Sequence, residues 1–379
     1  MKKSAPHKKN LHASSLIIAD HQNDNFINKK LPLWAETDGI QYPSRLSLEQ
    51  CSGEKAARYK GRLVNRIFPE GAELMADLTG GLGVDFSFIA PHFKKAFYIE
   101  RQSMLCEAAR NNFPKLGLSH AEIVEADGTD YLNRLPTVNL LFIDPARRDQ
   151  VGKKTVLIED CEPDVVSLLP IIWKKTDCLL LKLSPMLDMC RAIKSLKTVS
   201  EAHIVADNGE CKELLLLLRP NSETPMIFCS DGDIQFSFTT EEEFSANIGY
   251  TNQVKRYLYE PNSSILKAGA FKLVAERFHL EKLHPNSHLY TSDECLTDFP
   301  GRSFEVRQIS GFSKKELKNL CQSVEKANLT IRNFPGSVAE LRKRLKLKEG
   351  GDAYWFATTL SDEKHVIIDC RKISSCKQS

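Results

Sequence analysis

Glycines and carboxylates recur where the chain is predicted to leave buried strands. Residues 77–83 read Asp-Leu-Thr-Gly-Gly-Leu-Gly and follow an apolar run. The glycines allow a sharp turn and let a bulky ligand approach the backbone, with the N-terminus of the next helix beneath it. A dinucleotide-binding G-x-G-x-x-G loop is the competing interpretation. It fits poorly, because Phe86 occupies the position of the third glycine.

Three further carboxylates follow successive predicted strands. Glu100 comes 23 residues after Asp77 and is suited to accept hydrogen bonds from two ribose hydroxyls. Asp127 can accept a hydrogen bond from an adenine amino group. Asp144 is the first residue of the segment Asp-Pro-Ala-Arg-Arg-Asp. One acid after a strand is usually a helix cap or a loop residue. Ligands of open α/β sheets bind at the carboxyl ends of strands, so four acids in register favour a shared ligand site.

This pattern resembles the class I S-adenosylmethionine-dependent methyltransferases. Residues 77–83 resemble their first motif, Glu100 their ribose-binding acid, Asp127 their adenine-binding acid, and residues 144–147 their fourth motif. The resemblance implies S-adenosyl-L-methionine as the cofactor. The residues implied to bind it are Asp77, Thr79, Gly80, Gly81, Gly83, Glu100, Asp127 and Gly128.

The chain departs from that family pattern at two places. Thr79 stands where the glycine-rich motif commonly begins with glycine, and the fourth motif lacks the aromatic residue of typical exocyclic-amine methyltransferases. Stacking on a flipped base would then have to come from elsewhere. For a nitrogen acceptor, the Asp144 carboxylate and the Pro145 carbonyl can accept its hydrogens and orient its lone pair, or Asp144 can act as the base. Cys51 and Cys190 are alternative nucleophiles for carbon methylation, but cysteines are more often buried apolar residues.

Alternating strands and helices must position these loops. The sequence predicts an α/β fold with a doubly wound, Rossmann-like, seven-stranded methyltransferase sheet, a helical N-terminal segment and a small α+β C-terminal region. A capping pattern at Ser47 and Gln50 predicts one helix over 48–67, and residues 211–218 are interpreted as a helix. The predicted strands of the first half cover residues 73–78, 95–100, 121–125, 138–143 and 178–183.

The charge distribution divides the chain into an acidic centre and basic flanks. The net charge is +4 over residues 1–60, −8 over 61–250 and +7 over 251–379. This division favours separate regions for catalysis and for binding a polyanion. Segments at 50–54, 182–185 and 257–261 extend the resemblance to a bacterial methyltransferase family with a C-terminal ferredoxin-like segment and a THUMP-like domain. The resemblance therefore implies a helical segment over 1–60, a methyltransferase domain over 61–250, a ferredoxin-like segment over 251–302 and a THUMP-like domain over 303–379 that is expected to bind RNA.

The resemblance implies RNA, either tRNA or rRNA, as the acceptor. Arg147 and Arg148 adjoin the fourth motif, where they either contact RNA or hold the loop through a neighbouring carboxylate. Ser184 is expected to line the acceptor pocket. The basic run Arg342, Lys343 and Arg344 is expected to contact the RNA backbone. Two alternatives stay open: methylation of a protein or small molecule, and a non-catalytic RNA-binding protein with a vestigial cofactor site.

The composition, 42% hydrophobic and 27% charged, is ordinary for a soluble globular protein. No apolar run approaches the ~20 residues that span a bilayer, so no membrane association is expected. The eleven cysteines form no C-x-x-C pair, and the histidines show no metal-ligand spacing. These patterns predict neither a disulfide framework nor a metal site and favour the reducing cytoplasm.

Overall fold

The structure, a computed structural model, describes residues 25–147, 157–322 and 324–373. The chain divides into two compact units. The first unit contains residues 1–150 and 159–181, and the second contains residues 151–158 and 182–379.

A parallel sheet forms the centre of the first unit. Its strands lie in the order β7-β4-β1-β2-β3, and each neighbouring pair is parallel. A short antiparallel pair, β5 and β6, follows the Asp144 position. The five predicted strands are therefore present, and the α/β interpretation is confirmed. The strands are β1 (Ala72–Asp77), β2 (Phe93–Glu100), β3 (Ala121–Glu125), β4 (Leu140–Ile143), β5 (Ala146–Arg147), β6 (Cys161–Glu162) and β7 (Leu179–Leu183).

Eight helices accompany this sheet among the described residues of the first unit. They are α1 (Asn25–Lys30), α2 (Pro32–Glu36), α3 (Arg45–Gln50), α4 (Glu54–Ile67), α5 (Val84–Ile89), α6 (Ser103–Lys115), α7 (Gly128–Leu132) and α8 (Val165–Ile172).

The single helix predicted over 48–67 is wrong, because α3 and α4 are separate. Ser44 is the N-cap of α3, and its side chain accepts from the Ser47 amide at 3.0 Å. Cys51 is extended, and α4 begins anew after Gly53. The buried Glu54 carboxylate accepts from the Leu33 amide at 2.7 Å. Glu54 and Leu33 are 21 residues apart, so a capping pattern, which involves only neighbouring residues, cannot indicate this contact or the break beside it.

The N-terminal helices pack against the parallel-sheet unit through an apolar cluster. Its buried members include Trp34 and Leu48 from the N-terminal segment, Leu82 from the loop before α5 and Val84 at the start of α5. The side chain of Asn112 on α6 is fully buried. Its amide accepts from the Gln41 N–H and donates to the Gln41 carbonyl, both at 2.8 Å. One asparagine thus satisfies both backbone groups of a residue in the N-terminal segment.

The second unit contains a mixed set of strands in the order β11-β10-β8-β9, in which only the β8–β10 pair is parallel. The helix predicted over 211–218 is wrong, because these residues belong to β9. Leu214 to Leu218 are all buried, as expected for a strand covered on both faces. Leucine favours helices only weakly, and burial of these leucines on both faces of the sheet outweighs that preference. The strands are β8 (Val199–Asp207), β9 (Glu210–Leu218), β10 (Met226–Asp231) and β11 (Ile234–Thr239).

An eight-stranded sheet follows in the second unit, in the order β12-β14-β15-β13-β16-β19-β18-β17. Trp355 is fully buried in the apolar cluster beneath α13 and α14. The strands are β12 (Gly249–Tyr250), β13 (Tyr257–Pro261), β14 (Glu281–Lys282), β15 (Tyr290–Ser292), β16 (Gly301–Ser310), β17 (Lys326–Arg332), β18 (Lys348–Thr359) and β19 (His365–Lys372). The helices of the unit are α9 (Met189–Leu196), α10 (Thr240–Ser245), α11 (Ser263–Ala268), α12 (Phe271–Arg277), α13 (Lys314–Cys321) and α14 (Val338–Leu345).

Within the described part of the chain, the length and apolarity needed to cross a membrane are found in none of the helices.

The Asn112 contact generates a prediction. In Asn112→Ala, the Gln41 N–H and carbonyl lose their partners, so we expect the free energy of unfolding to fall by about 2 to 4 kcal/mol. Urea denaturation measures the loss, and limited proteolysis should cleave the segment before Gln41 faster. The exposed Glu107→Ala on the same helix is the matched control. Equal stability of the two variants would contradict the docking role of Asn112.

Candidate active site

The glycine loop (residues 78–83) joins β1 to α5 above a cluster of aromatic rings. A Cβ on Gly80 would lie 2.4 Å from the Tyr98 ring, and one on Gly83 would lie 2.8 Å from the Phe113 ring. Gly83 also adopts a φ of +86° as the N-cap of α5. Tyr98, Phe113 and Phe86 pack together with ring centroids 4.9 to 5.5 Å apart. Gly80 and Gly83 therefore have to be glycines because the three aromatic rings beneath the loop leave no room for a side chain.

Asp77, the last residue of β1, is 1% exposed. Its Oδ1 accepts from the Thr79 N–H at 2.8 Å and from the Thr79 hydroxyl at 3.2 Å. Burial, aided by the charges of Asp85 and Asp144 and opposed by the Thr79 N–H, raises the pKa of Asp77 to about 8. This carboxyl therefore takes up a proton in the folded protein at neutral pH.

Glu100 is held against the glycine loop by backbone donors. Its Oε2 accepts from the Gly81 N–H and its Oε1 from the Gln102 N–H, each at 2.8 Å. The residue is 7% exposed. Each carboxylate oxygen has a second lone pair, so both can accept from hydroxyl groups in addition. The Tyr98 hydroxyl donates to the Gly81 carbonyl and fixes the same turn.

Asp127 caps α7. Its Oδ1 accepts from the amides of Thr129 at 2.9 Å and Asp130 at 3.4 Å. A Cβ on Gly128 would lie 2.0 Å from the Leu78 carbonyl oxygen. Gly128 therefore lets the start of α7 touch the glycine loop, which brings Asp127 beside it. The side chain of Asp127 is 42% exposed, so capping leaves it accessible.

Asp144 and Pro145 follow β4, which is the strand next to β1 in the sheet. The Asp144 N–H donates to the Thr79 hydroxyl oxygen at 2.7 Å. Asp144 is half-buried and Pro145 is buried. The backbone of Ala146 and Arg147 then pairs with β6. Arg148, together with the lysines that follow it at 153 and 154, lies outside the described residues, and for Arg147 the structure describes only the backbone.

The remaining predicted substrate residues belong to the second unit. Ser184 follows β7, and its hydroxyl accepts from the Met186 N–H at 3.3 Å. Arg342 is half-buried and pairs with Glu349 at 3.3 Å, whereas Lys343 and Arg344 are exposed.

A buried polar triad next to the glycine loop was not predicted. The Lys60 Nζ is fully buried and lies 3.0 Å from the Asp85 carboxylate, which also accepts from the Ser52 hydroxyl at 2.8 Å. The capping pattern predicts Gln50 in the first turn of a helix, but Gln50 is exposed at the end of α3. From the sequence, Lys60 either covers the cofactor or solvates its helix; the structure buries it on the same face of α4 as Ala57 and Val64, and helical spacing is the signal for that burial.

The cysteines differ from expectation at two positions. Cys190 is exposed rather than buried, and Cys295 is disulfide-bonded. Cys51 is half-buried, and its thiol donates to the Leu48 carbonyl at 3.2 Å. Among the residues that the structure describes, no three His, Cys, Asp or Glu side chains converge as a metal site would require.

Asp77 generates a pH-dependent prediction. In the unfolded chain this carboxyl ionises at its ordinary pKa, whereas the folded chain keeps its proton up to about pH 8. The folded state binds more protons over that window, so wild-type stability falls as the pH rises. Asp77→Asn carries no such charge and should be the more stable protein by on the order of a few kcal/mol at pH 8. The difference should vanish near pH 4.

Calorimetric unfolding of both proteins from pH 4 to pH 8.5 measures this difference. The exposed Glu107→Gln is the control and should follow the wild type throughout. Parallel stability profiles for wild type and Asp77→Asn would show that the Asp77 carboxyl is not perturbed.

The C-terminal part of the chain matches two known families. Residues 257–300 match a family described as a ferredoxin-like domain, and residues 301–372 match one described as THUMP domain-like. No match was found among curated proteins.

Two solved structures share only limited similarity with the chain. A protein from Pyrococcus horikoshii described as an RNA methyltransferase is 12% identical, with a TM-score of 0.36, over 50% of this chain and 93% of its own. TrmK from M. capricolum, solved with S-adenosyl-homocysteine, is 11% identical, with a TM-score of 0.33, over 44% of this chain and 69% of its own. These TM-scores are too low to support an argument about function.

A protein from Porphyromonas gingivalis W83, described as a methyltransferase, is much more similar. It is 40% identical with a TM-score of 0.84, and the match covers 92% of this chain and 88% of the other. That identity and coverage show a shared family. The chain belongs to the methyltransferase family of the Porphyromonas gingivalis protein, with a ferredoxin-like and a THUMP-like domain in its C-terminal part.

Proposed function

We propose that this chain is a class I S-adenosyl-L-methionine-dependent methyltransferase of the cytoplasm that methylates a nitrogen atom of a tRNA or rRNA base. The methyltransferase domain covers residues 61–250 behind a helical segment over 1–60, and residues 251–302 and 303–379 form the ferredoxin-like and THUMP-like parts. The observation that carries the proposal is the Glu100 carboxylate, which two backbone amides hold against the glycine loop at 2.8 Å.

The chemistry of the site residues fits this cofactor. Glu100 has lone pairs for two ribose hydroxyls, and Asp127 lies beside the loop with an accessible carboxylate. Asp77, Thr79, Gly80, Gly81, Gly83 and Gly128 shape the cradle, in which the bare glycine backbone admits a large ligand. The carboxyl of Asp77 is buried at the base of this cradle, where a cationic group of the ligand would favour its ionised form.

The bound cofactor supplies a methyl group that is already activated on a sulfonium, so we propose no metal for this step. The protein's tasks are to orient the nucleophile within about 3 to 3.5 Å of that carbon and to exclude water. Asp144 accepts a hydrogen from the acceptor nitrogen, and the Pro145 carbonyl accepts a second one. These two contacts point the nitrogen lone pair at the methyl group, and Asp144 takes the proton that leaves.

RNA as the acceptor is supported by the C-terminal part of the chain. Residues 301–372 match the THUMP domain-like family, and residues 251–379 carry a net charge of +7. Lys343 and Arg344 are exposed on α14, and the Arg344 guanidinium lies 5.7 Å from the Phe312 ring centroid. Exposed cations of this kind neutralise phosphates. Arg147, Arg148, Ser184 and Arg342 remain proposed substrate contacts.

Tritiated methyl transfer tests the proposal. Total RNA from a strain that lacks the gene is incubated with the full chain and labelled cofactor, and the labelled nucleoside is identified. Label in one base nitrogen of tRNA or rRNA is the expected result. Label in protein or in small molecules only would overturn the RNA assignment, and cofactor binding without transfer to any fraction would favour a non-catalytic protein.

The Glu100 contact generates a cofactor-binding prediction. Glu100→Gln keeps the shape of the side chain but removes the charge and one acceptor, so we expect S-adenosylhomocysteine to bind roughly tenfold to hundredfold more weakly. Isothermal titration calorimetry on the full chain measures the change. The exposed Glu107→Gln serves as the control. An unchanged dissociation constant for Glu100→Gln would contradict the ribose-binding role.

The exposed basic residues of α14 generate an RNA-binding prediction. In Lys343→Ala/Arg344→Ala, the affinity for total tRNA should fall and the slope of log affinity against log salt should lose about 1 to 2 units. Filter binding over a salt series measures both quantities. Lys314→Ala/Lys315→Ala on α13 removes the same charge from the same domain. Equal losses in the two double variants would remove the special role of the α14 cations.

A further inference from the structure

The Thr79 hydroxyl joins the glycine loop to the residue that follows β4. It accepts a hydrogen bond from the Asp144 N–H at 2.7 Å and lies 3.2 Å from the Asp77 carboxyl oxygen, to which it donates. A hydroxyl has one hydrogen to donate and two lone pairs. The three residues therefore form a directional chain from the Asp144 amide, through the Thr79 hydroxyl, to Asp77, in which each bond polarises the next.

This side chain continues the strand pairing where the backbone ladder ends. Strands β1 and β4 are paired up to Asp77 and Phe142, and the Leu78 N–H donates to the Phe142 carbonyl at 3.1 Å. Two residues later the Asp144 N–H finds a side-chain hydroxyl instead of a carbonyl. The link is anchored at its other end by Asp77, which is 1% exposed and also accepts from the Thr79 N–H.

We propose that Thr79 is a positioning residue, whose hydroxyl sets the backbone of Asp144 and thereby the direction of the Asp144 carboxylate. The inference rests on the proposed function, in which Asp144 orients the acceptor nitrogen. Pro145 already restricts the backbone of the residue before it, and the hydrogen bond from the Asp144 N–H to the Thr79 hydroxyl adds a second restraint on that backbone. A glycine at position 79 has no side chain with which to make this link.

Loss of the Thr79 hydroxyl should slow methyl transfer without an equal loss of cofactor affinity. Thr79→Val keeps the branched shape and the Thr79 N–H but removes the hydroxyl. The contacts of Glu100 to the loop backbone remain, so the cofactor should bind nearly as before. The methyl-transfer rate should fall by roughly tenfold to a hundredfold, because small misplacements of a reacting group have effects of that size. Thr79→Ser retains the hydroxyl and should restore most of the transfer rate that Thr79→Val loses.

The experiment compares the full-length wild type, Thr79→Ser and Thr79→Val by three measurements. These are calorimetric binding of S-adenosylhomocysteine, single-turnover methyl transfer to total RNA from a strain lacking the gene, and hydrogen exchange of the Asp144 amide. Three results for Thr79→Val would support the inference: a dissociation constant within about threefold of the wild-type value, methyl transfer at least tenfold slower than wild type, and faster exchange of the Asp144 amide. Thr79→Ser should show neither so large a loss of transfer rate nor the faster exchange. Two outcomes would overturn the inference. In one, Thr79→Val transfers methyl groups and exchanges the Asp144 amide at wild-type rates. In the other, its cofactor affinity and its transfer rate fall by the same factor.

Two features keep this test separate from the test of the proposed function. If wild type methylates no RNA, the proposed function fails, whereas the exchange of the Asp144 amide still decides whether Thr79 holds it. Equal exchange in all three proteins then overturns the inference. If Thr79→Val does not fold, Thr79→Ala replaces it, since it removes the same hydroxyl with less apolar bulk, and the same outcomes apply.

Discussion

Burial of the Asp77 carboxyl at the end of a central parallel strand is the constraint around which the site is organised. Removing a carboxyl from water costs free energy unless hydrogen bonds or a neighbouring cation compensate. Thr79 offsets part of this cost through both its N–H and its hydroxyl, and the raised pKa of Asp77 shows that the rest is avoided by keeping the proton. That arrangement fixes the first turn of the glycine loop. It also commits the Thr79 side chain to the position from which it reaches Asp144.

The rest of the first unit supports this turn from below and from the side. The rings of Phe86, Tyr98 and Phe113 form a floor that excludes a side chain at Gly80 and Gly83. Next to them, Lys60 is fully buried with its charge compensated by Asp85. A buried ion pair of this kind contributes little net stability, but it specifies one arrangement, because breaking it leaves an uncompensated charge. The loop is thus held rigid before a ligand arrives, which lowers the entropy lost on binding.

The parts of the site that could be predicted are those with local signals. Asp77, Glu100 and Asp144 each end an apolar run, so their placement at strand ends follows from burial of parallel strands on both faces. Contacts between segments distant in sequence carry no such signal. The pairing of Lys60 with Asp85, the insertion of Asn112 beneath Gln41 and the break between α3 and α4 all depend on tertiary packing. The strand β9 was mistaken for a helix because its five leucines form helices and buried strands alike.

We propose that the glycine loop and Glu100 form the site for S-adenosyl-L-methionine. A crystal structure of the full chain with S-adenosylhomocysteine would decide this. We expect two ribose oxygens about 2.6 to 3.0 Å from the Glu100 carboxylate, with the amino acid part of the ligand over the glycine loop beside Asp77. A ligand bound elsewhere on the chain, with Glu100 contacting only the Gly81 and Gln102 amides, would contradict it.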